Sequence, residues 1–304
     1  MKRIVVLGGS SFIGLPILKK LSTHKEWNVI GTYHQHQPLE DLTLEKVDLL
    51  SSENIKQFLK KNSPDTIIHC AAMSNVDQCQ KNPQQCYLHN VAPVKTILEY
   101  CQQNSAVKYI FFSSSEVFDG KKGKPYTEND KTSSLNRYGS YKIEAEELIL
   151  SLENKAIIRP CLVYGLPEEY QHRNIFNYIY KSLKEGNSIT VYQDMIRTPT
   201  YVQDLPLIVE SIIENDKRGI FHTGGQATSI YNFANEIAQY FGFNQDQQKL
   251  IIGKSSEGQE VNYKPRDNRL NCSRTEKELG IKFRSLQEAS TDIKKELAKE
   301  GLSC

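Results

Sequence analysis

Ile4-Val5-Val6-Leu7-Gly8-Gly9-Ser10-Ser11-Phe12-Ile13-Gly14 is the stretch that decides the fold. Ile4 to Leu7 is a short, unbroken apolar run, the pattern of a strand buried on both faces. Residues 12–21 then show helical periodicity. Strand, glycine-rich turn and helix, in that order, aim backbone N–H groups at a helix N-terminus, where a pyrophosphate binds. Gly8 suits the tight turn, and Gly14 lets the helix pack closely on the sheet. Gly8, Ser10, Ser11, Phe12, Ile13 and Gly14 are therefore the candidate phosphate-loop residues; the plainer reading is an ordinary tight βα turn. The spacing follows Gly-x-x-Gly-x-x-Gly with Ser11 in the middle glycine place. Its side chain either crowds a phosphate or donates a hydrogen bond to it.

Outward from this loop the first half keeps alternating. Strands are expected at 28–33, 66–70, 108–112 and 156–159, with helices over 52–61, 84–103 and 135–152. Apolar strands separated by helices mean a parallel sheet covered on both faces, and right-handed crossovers make it doubly wound. After Pro160 the pattern loosens, with helices expected over 174–183, 204–213 and 229–241, strands over 188–192 and 220–222, and a Lys/Glu-rich helix at the end. The fold class expected is α/β: a Rossmann-like doubly wound parallel sheet over 1–165, completed by parts of 196–228. A smaller C-terminal α/β lobe, mainly 166–304, is expected to bind substrate.

Composition narrows the function. The 304 residues carry 38 Lys and Arg against 36 Asp and Glu, a formal charge of +2. That balance excludes a general nucleic-acid binder and a polybasic membrane surface. No apolar run is long enough to span a bilayer, and the short run at 4–7 makes no signal-peptide core. Seven cysteines stand at scattered spacings, with no Cys-x-x-Cys. Neither a disulfide framework nor a metal site is expected, and a reducing cytoplasm fits. Cys79, Cys86 and His89 are close in sequence but lack paired ligand spacing, so they read as a polar loop entering a helix.

Two further stretches carry chemistry. At the end of the second strand, Thr32-Tyr33-His34-Gln35-His36 lacks the acid that would hold an adenosine ribose. That tilts the cofactor toward NADP(H), with NAD(H) left open. Thr32 and His34 are cofactor candidates, as are Asp48 and Leu49; Asp48 reads equally well as a helix cap. In Tyr138-Gly139-Ser140-Tyr141-Lys142, Tyr138 and Lys142 share one helix face. An ammonium near a phenol favours the phenolate, which suits Tyr138 to proton donation toward a carbonyl. Upstream, Phe111-Phe112-Ser113-Ser114-Ser115-Glu116 closes a parallel strand with hydroxyls at the edge where ligands bind.

The glycine loop, the serine cluster and Tyr-x-x-x-Lys together resemble the extended short-chain dehydrogenase/reductases, the superfamily of NAD-dependent epimerases and dehydratases. More closely, the chain is similar to the dTDP-4-dehydrorhamnose reductases and their relative, the regulatory β subunit of methionine adenosyltransferase. The stretches that carry this are His69-Cys70-Ala71-Ala72, Val76-Asp77, Asn90-Val91, Val117-Phe118-Asp119-Gly120, Pro125-Tyr126, Tyr138-Gly139, Arg159-Pro160, Arg197-Thr198-Pro199-Thr200 and 265–273. The resemblance implies an oxidoreductase of deoxysugar biosynthesis with catalytic Ser114, Tyr138 and Lys142. It implies that Ala71, Ala72, Met73 and Asn90 line the cofactor, with Tyr138 and Lys142. It places Val76, Asp77, Ser115, Tyr164, Arg197 and Arg266 toward a nucleotide sugar, the two arginines toward its diphosphate. A homodimer is the family habit. Rhamnose-pathway reductases carry Thr-Asp where this chain has Ser114-Ser115, so a carboxylate is lost. The alternatives are an epimerase or dehydratase that retains NAD, and a non-catalytic NADP-binding regulatory subunit.

Overall fold

The computed structural model describes residues 1–37, 41–171, 174–258 and 262–299. The chain divides into two interleaved units: residues 1–118, 131–159 and 205–221, and residues 119–130, 160–204 and 222 onward. The first unit centres on a seven-stranded parallel sheet built from β1 (Lys2–Leu7), β2 (Trp27–Tyr33), β3 (Leu44–Lys46), β4 (Thr66–His69), β5 (Lys108–Phe112), β6 (Lys155–Pro160) and β7 (Gly219–Thr223). Their order is β7-β6-β5-β4-β1-β2-β3, the doubly wound arrangement. Helices α1 (Gly14–Leu21), α2 (Ser52–Asn62), α3 (Val76–Lys81), α4 (Pro83–Asn90), α5 (Ala92–Gln103), α6 (Arg137–Leu150) and α7 (Leu205–Glu214) complete this unit.

The apolar run of β1 is buried on both sides. Val5 and Leu7 share one core with Ile67, Tyr109, Phe111 and Ile157, roofed by Phe58, Val94 and Ile149 of α2, α5 and α6. Ile4 and Val6 point the other way by strand alternation and are fully buried too. Register brings three strand ends level: Leu7 pairs with His69, and His69 with Phe111. The segments that follow them — the glycine loop, 70–73 and 112–114 — therefore leave the sheet along one edge.

Three elements around the main sheet differ from the sequence reading. β3 has three residues and pairs only with β2, too short a stretch to show a period. α3 starts at the Asn75 cap, whose side chain accepts from Gln78 N at 2.9 Å. It has one buried residue, Cys79, and no apolar stripe to betray it. The helix expected over 84–103 is two helices that meet at Val91, because Pro93 in the first turn of α5 has no N–H to continue α4.

The second unit is a set of short strand pairs between helices. Val163–Tyr164 runs parallel to Thr200–Tyr201, Ile196–Arg197 antiparallel to Thr228–Ser229, and Ile189–Tyr192 parallel to Ile251–Lys254. Helices Ile175–Lys184 and Ile230–Tyr240 flank them, and Leu286–Lys299 is the last helix described. Phe176, Tyr180 and Phe241 pack ring against ring at centroid distances of 5.2 to 5.8 Å. No helix among the described residues is long and apolar enough to cross a membrane.

The β1–α1 turn tolerates no side chain at Gly14, where a Cβ would meet Gly8 O at 2.1 Å. Gly14→Ala should destabilise the fold by about 1–3 kcal/mol through overpacking, read as a lowered urea midpoint. An unchanged midpoint would mean that the turn relaxes freely and does not set the fold.

Candidate active site

The glycine loop is held by backbone geometry and one buried threonine. Gly8 adopts φ +81°, and a Cβ there would lie 2.8 Å from Ala71 N. Thr32 is buried, and its Oγ1 accepts from Gly8 N at 2.9 Å. Thr32 thus shapes the loop from beneath, which corrects the expectation that it faces a cofactor directly. Ser11 Oγ accepts from Gly14 N at 3.0 Å. Its hydroxyl is turned onto the first turn of α1, where it satisfies one of the N-terminal amides a helix leaves open. A Cβ at Gly8 would collide with Ala71 N and one at Gly14 with Gly8 O, so both positions of the turn demand glycine.

The other cofactor candidates divide. Ala72 and His34 are exposed, while Ala71, Met73, Ser10, Phe12 and Ile13 are half-buried around the loop. Asp48 Oδ1 accepts from Leu50 N at 2.9 Å and closes a local turn; the α2 cap is Ser51. Leu49 packs against the main core. Asn90 is buried, and its Nδ2 donates to Met73 O at 3.0 Å and Cys86 O at 2.9 Å. It clamps α4 to the segment leaving β4.

Three side chains spaced one turn apart on α6 meet three consecutive residues at the end of β5. Tyr138 is hydrogen-bonded to the Ser114 side chain. Lys142 Nζ donates to Phe112 O at 2.9 Å. Between them in the strand sequence, Ser113 donates its hydroxyl to the Glu146 carboxylate. Glu146 is also gripped by Arg159 of β6, Nε to Oε1 at 2.9 Å and Nη2 to Oε2 at 2.5 Å. Ser113, Tyr138, Lys142, Glu146 and Arg159 are each less than a tenth exposed.

The α6 entry is fixed as tightly. Asn136 caps the helix, Oδ1 accepting from Gly139 N at 2.8 Å, while its Nδ2 donates to Glu116 Oε2 at 2.8 Å. Gly139 is required by close approach: a Cβ would sit 2.0 Å from Glu116 O. Ser115 is buried in the short turn 115–117 that makes this contact.

The electrostatics correct one expectation. Burial pushes the Tyr138 phenol well above its usual range; the Ser114 hydrogen bond opposes this, and the Glu116 charge adds to it. Tyr138 therefore remains a protonated phenol at neutral pH, a donor and not a phenolate. Lys142 does not lower it in the way the i, i+4 spacing suggested, because the ammonium turns to the Phe112 carbonyl. Burial pushes Lys142 down to about 7, against the charges of Glu146 and Cys70, which hold it up. Cys70 follows β4, and Ala71 beside it packs on Gly8, so the end of β4 joins the glycine loop to this cluster.

Of the substrate candidates, Val76 and Asp77 open α3, with Val76 packed near Tyr138. Tyr164, Arg197 and Arg266 belong to the second unit. Tyr164 is fully buried between Tyr201 and Phe233, so it is a core residue there. Arg197 is buried, and its guanidinium donates to Pro265 O at 2.8 Å, Ile196 O at 2.9 Å and Arg266 O at 3.2 Å. It latches the 265–266 loop, which corrects its reading as a free phosphate ligand. Arg266 itself is exposed. Sequence reasoning passed over Glu146, although the i, i+4, i+8 run of Tyr138, Lys142 and Glu146 is its signal.

The expectation of unpaired cysteines is also corrected. Cys79 of α3 and Cys86 of α4 form a disulfide with Cα atoms 5.0 Å apart, while Cys70, Cys101, Cys161 and Cys272 are buried outside any disulfide. Two helices that sequence merged or missed bring this pair together.

The model for the RmlD substrate binding domain matches residues 1–299. The chain is similar to the dTDP-4-dehydrorhamnose reductase of Aggregatibacter actinomycetemcomitans, 30% identical over 246 residues, which are 78% of each chain. It is also similar to the methionine adenosyltransferase 2 subunit beta of Rattus norvegicus, 28% identical over 293 residues, with 92% of this chain and 83% of that one covered. Among solved structures it resembles the dTDP-4-dehydrorhamnose reductase of Bacillus anthracis in complex with NADP. The TM-score is 0.82 at 23% identity, with 97% of this chain and 99% of that chain covered.

Two outcomes test the cluster. Glu146→Gln leaves Arg159 without its charge partner and should cost about 3–5 kcal/mol in chemical denaturation; a loss near zero would show the pair to be dispensable. Because the folded chain holds Lys142 near 7 against an ordinary 10.5, the unfolded chain binds more protons between those values. The penalty for burying this ammonium is full below that window and vanishes above it. Lys142→Met should therefore out-stabilise the wild type most at about pH 6, with the gap closing by about pH 10. A gap independent of pH would place the ammonium in water.

Proposed function

The chain belongs to the RmlD substrate binding domain family, and from that membership we propose that it is an oxidoreductase that reduces the C4 keto group of a nucleotide-linked 4-keto-6-deoxy sugar. The observation that carries the reading is the Ser114–Tyr138–Lys142 cluster, held at the sheet edge where the glycine loop begins. The backbone cradle of Gly8 to Gly14 fits a dinucleotide pyrophosphate, and the acid-free end of β2 favours NADP(H) over NAD(H). A reduced nicotinamide, when bound, supplies the hydride.

The chain's own residues then manage the proton and the charge. Tyr138, kept protonated by burial, donates to the oxygen of the reacting carbonyl as negative charge develops there. Ser114 shares the Tyr138 hydroxyl and steadies the same oxygen. Lys142 spends one donor on Phe112 O and keeps two for a ribose. Glu146 and Arg159 keep Lys142 in place. Arg266, exposed on its loop, is our choice for the nucleotide diphosphate, with Arg197 shaping that loop. The first unit is thus the dinucleotide-binding part and the second the substrate lobe, working in the cytoplasm.

One rival is weakened by a specific contact. A dehydratase needs an acid after the catalytic Ser or Thr; Glu116 stands nearby, but its carboxylate is bound to Asn136 at the α6 cap. The regulatory-subunit reading draws on the similarity to the methionine adenosyltransferase subunit, and an intact Ser114, Tyr138 and Lys142 argues for chemistry instead.

Tyr138→Phe should lower turnover of a dTDP-linked 4-keto-6-deoxy sugar by about 10²-fold or more while NADPH binding, read by fluorescence, is kept. Unchanged turnover in this variant would contradict the assignment.

A further inference from the structure

The Cys79–Cys86 bond belongs to a small buried cluster whose other buried member is Tyr138, with Met73, Val76 and Tyr141 at its margin. We propose that Cys79 and Cys86 are a reversible thiol–disulfide site whose redox state sets how firmly Tyr138 is held. The consequence for turnover rests on the catalytic reading of Tyr138 given above; the coupling itself does not.

Three contacts join the pair to the site. Both cysteines are fully buried and pack against Tyr138, so a change in their volume is felt there first. Asn90 Nδ2 lies 3.3 Å from Cys86 Sγ and also donates to Met73 O, linking one sulfur to the segment that leaves β4 beside the glycine loop. Gln80, the residue after Cys79, accepts from Arg137 N at 3.2 Å, and Arg137 is the residue before Tyr138. The bond therefore ties α3 to α4 at the point where both touch the start of α6.

The chemistry is thiol–disulfide exchange with a dithiol as reductant. A thiolate of the dithiol attacks one sulfur, forming a mixed disulfide and breaking the Cys79–Cys86 bond. The second thiol of the dithiol then displaces that cysteine. Two electrons and two protons end on Cys79 and Cys86 as thiols, and the dithiol leaves oxidised. Attack on buried sulfurs needs local opening. α3 offers it, being only six residues long with Gln78, Gln80 and Lys81 exposed. Two thiols in van der Waals contact need more room than a bonded pair, and Tyr138 is the neighbour that must yield. In a reducing compartment, disulfides that do form are typically redox-sensing.

The test compares the full chain after air oxidation and after dithiothreitol, beside a Cys79→Ser/Cys86→Ser variant. Alkylation and intact mass should count two more thiols after reduction in the wild type and no change in the variant. Hydrogen–deuterium exchange should rise across 73–90 and 137–142 on reduction of the wild type alone. Turnover should fall about tenfold on reduction, with no response in the variant. Full alkylation of both cysteines in the oxidised protein, or exchange at 137–142 indifferent to reduction, would overturn the proposal. A redox-dependent exchange in a protein that turns over no keto sugar would support the coupling and count only against the catalytic reading.

Discussion

The packing of one face of α6 against the last residues of β5 is the constraint from which the rest follows. Tyr138, Lys142 and Glu146 are four apart, and they address Ser114, the Phe112 carbonyl and Ser113. The three contacts together fix the helix against the strand end. Glu146 is the pivot: it binds the strand through Ser113 and the next strand through Arg159. The pair is buried, and its worth lies in fixing geometry more than in adding stability. With α6 locked in this way, Gly139 can press against the 115–117 turn.

Much of this was legible in the sequence, and the reason is local. The β1 run, the glycine turn and the α1 periodicity are each written within a dozen residues, and the parallel sheet follows from their repetition. Tyr138, Lys142 and Ser114 stood out because the two motifs and the glycine loop point to one crevice at the ends of the strands. What was hidden is what depends on partners far apart in the chain. Arg197 reads as a free cation in sequence, yet two of its hydrogen bonds go to carbonyls nearly seventy positions away. Tyr164 reads as a ligand contact until Tyr201 and Phe233 close over it. Thr32 reads as a cofactor contact because it stands at the end of β2, although its hydroxyl accepts from Gly8 N.

Burial also reverses a textual inference about charge. Four-residue spacing suggests an ammonium that acidifies a phenol, a rule drawn from exposed helices. Inside the fold, desolvation raises the phenol and lowers the ammonium together, and each seeks its own partner at the strand end. The phenol so held stays protonated at neutral pH. The same close packing connects Tyr138 to Cys79 and Cys86, a connection that scattered cysteine spacing could not announce.

We propose that this cluster serves hydride transfer to a sugar carbonyl from a cofactor that arrives reduced and leaves oxidised. Incubating the full chain with a dTDP-linked 4-keto-6-deoxy sugar and NADPH deuterated at the transferring position, and reading the product by NMR, tests it directly. One deuterium is expected at C4 of the sugar for each cofactor oxidised. Product without deuterium, or a cofactor left unoxidised beside every 4-keto sugar offered, would contradict it.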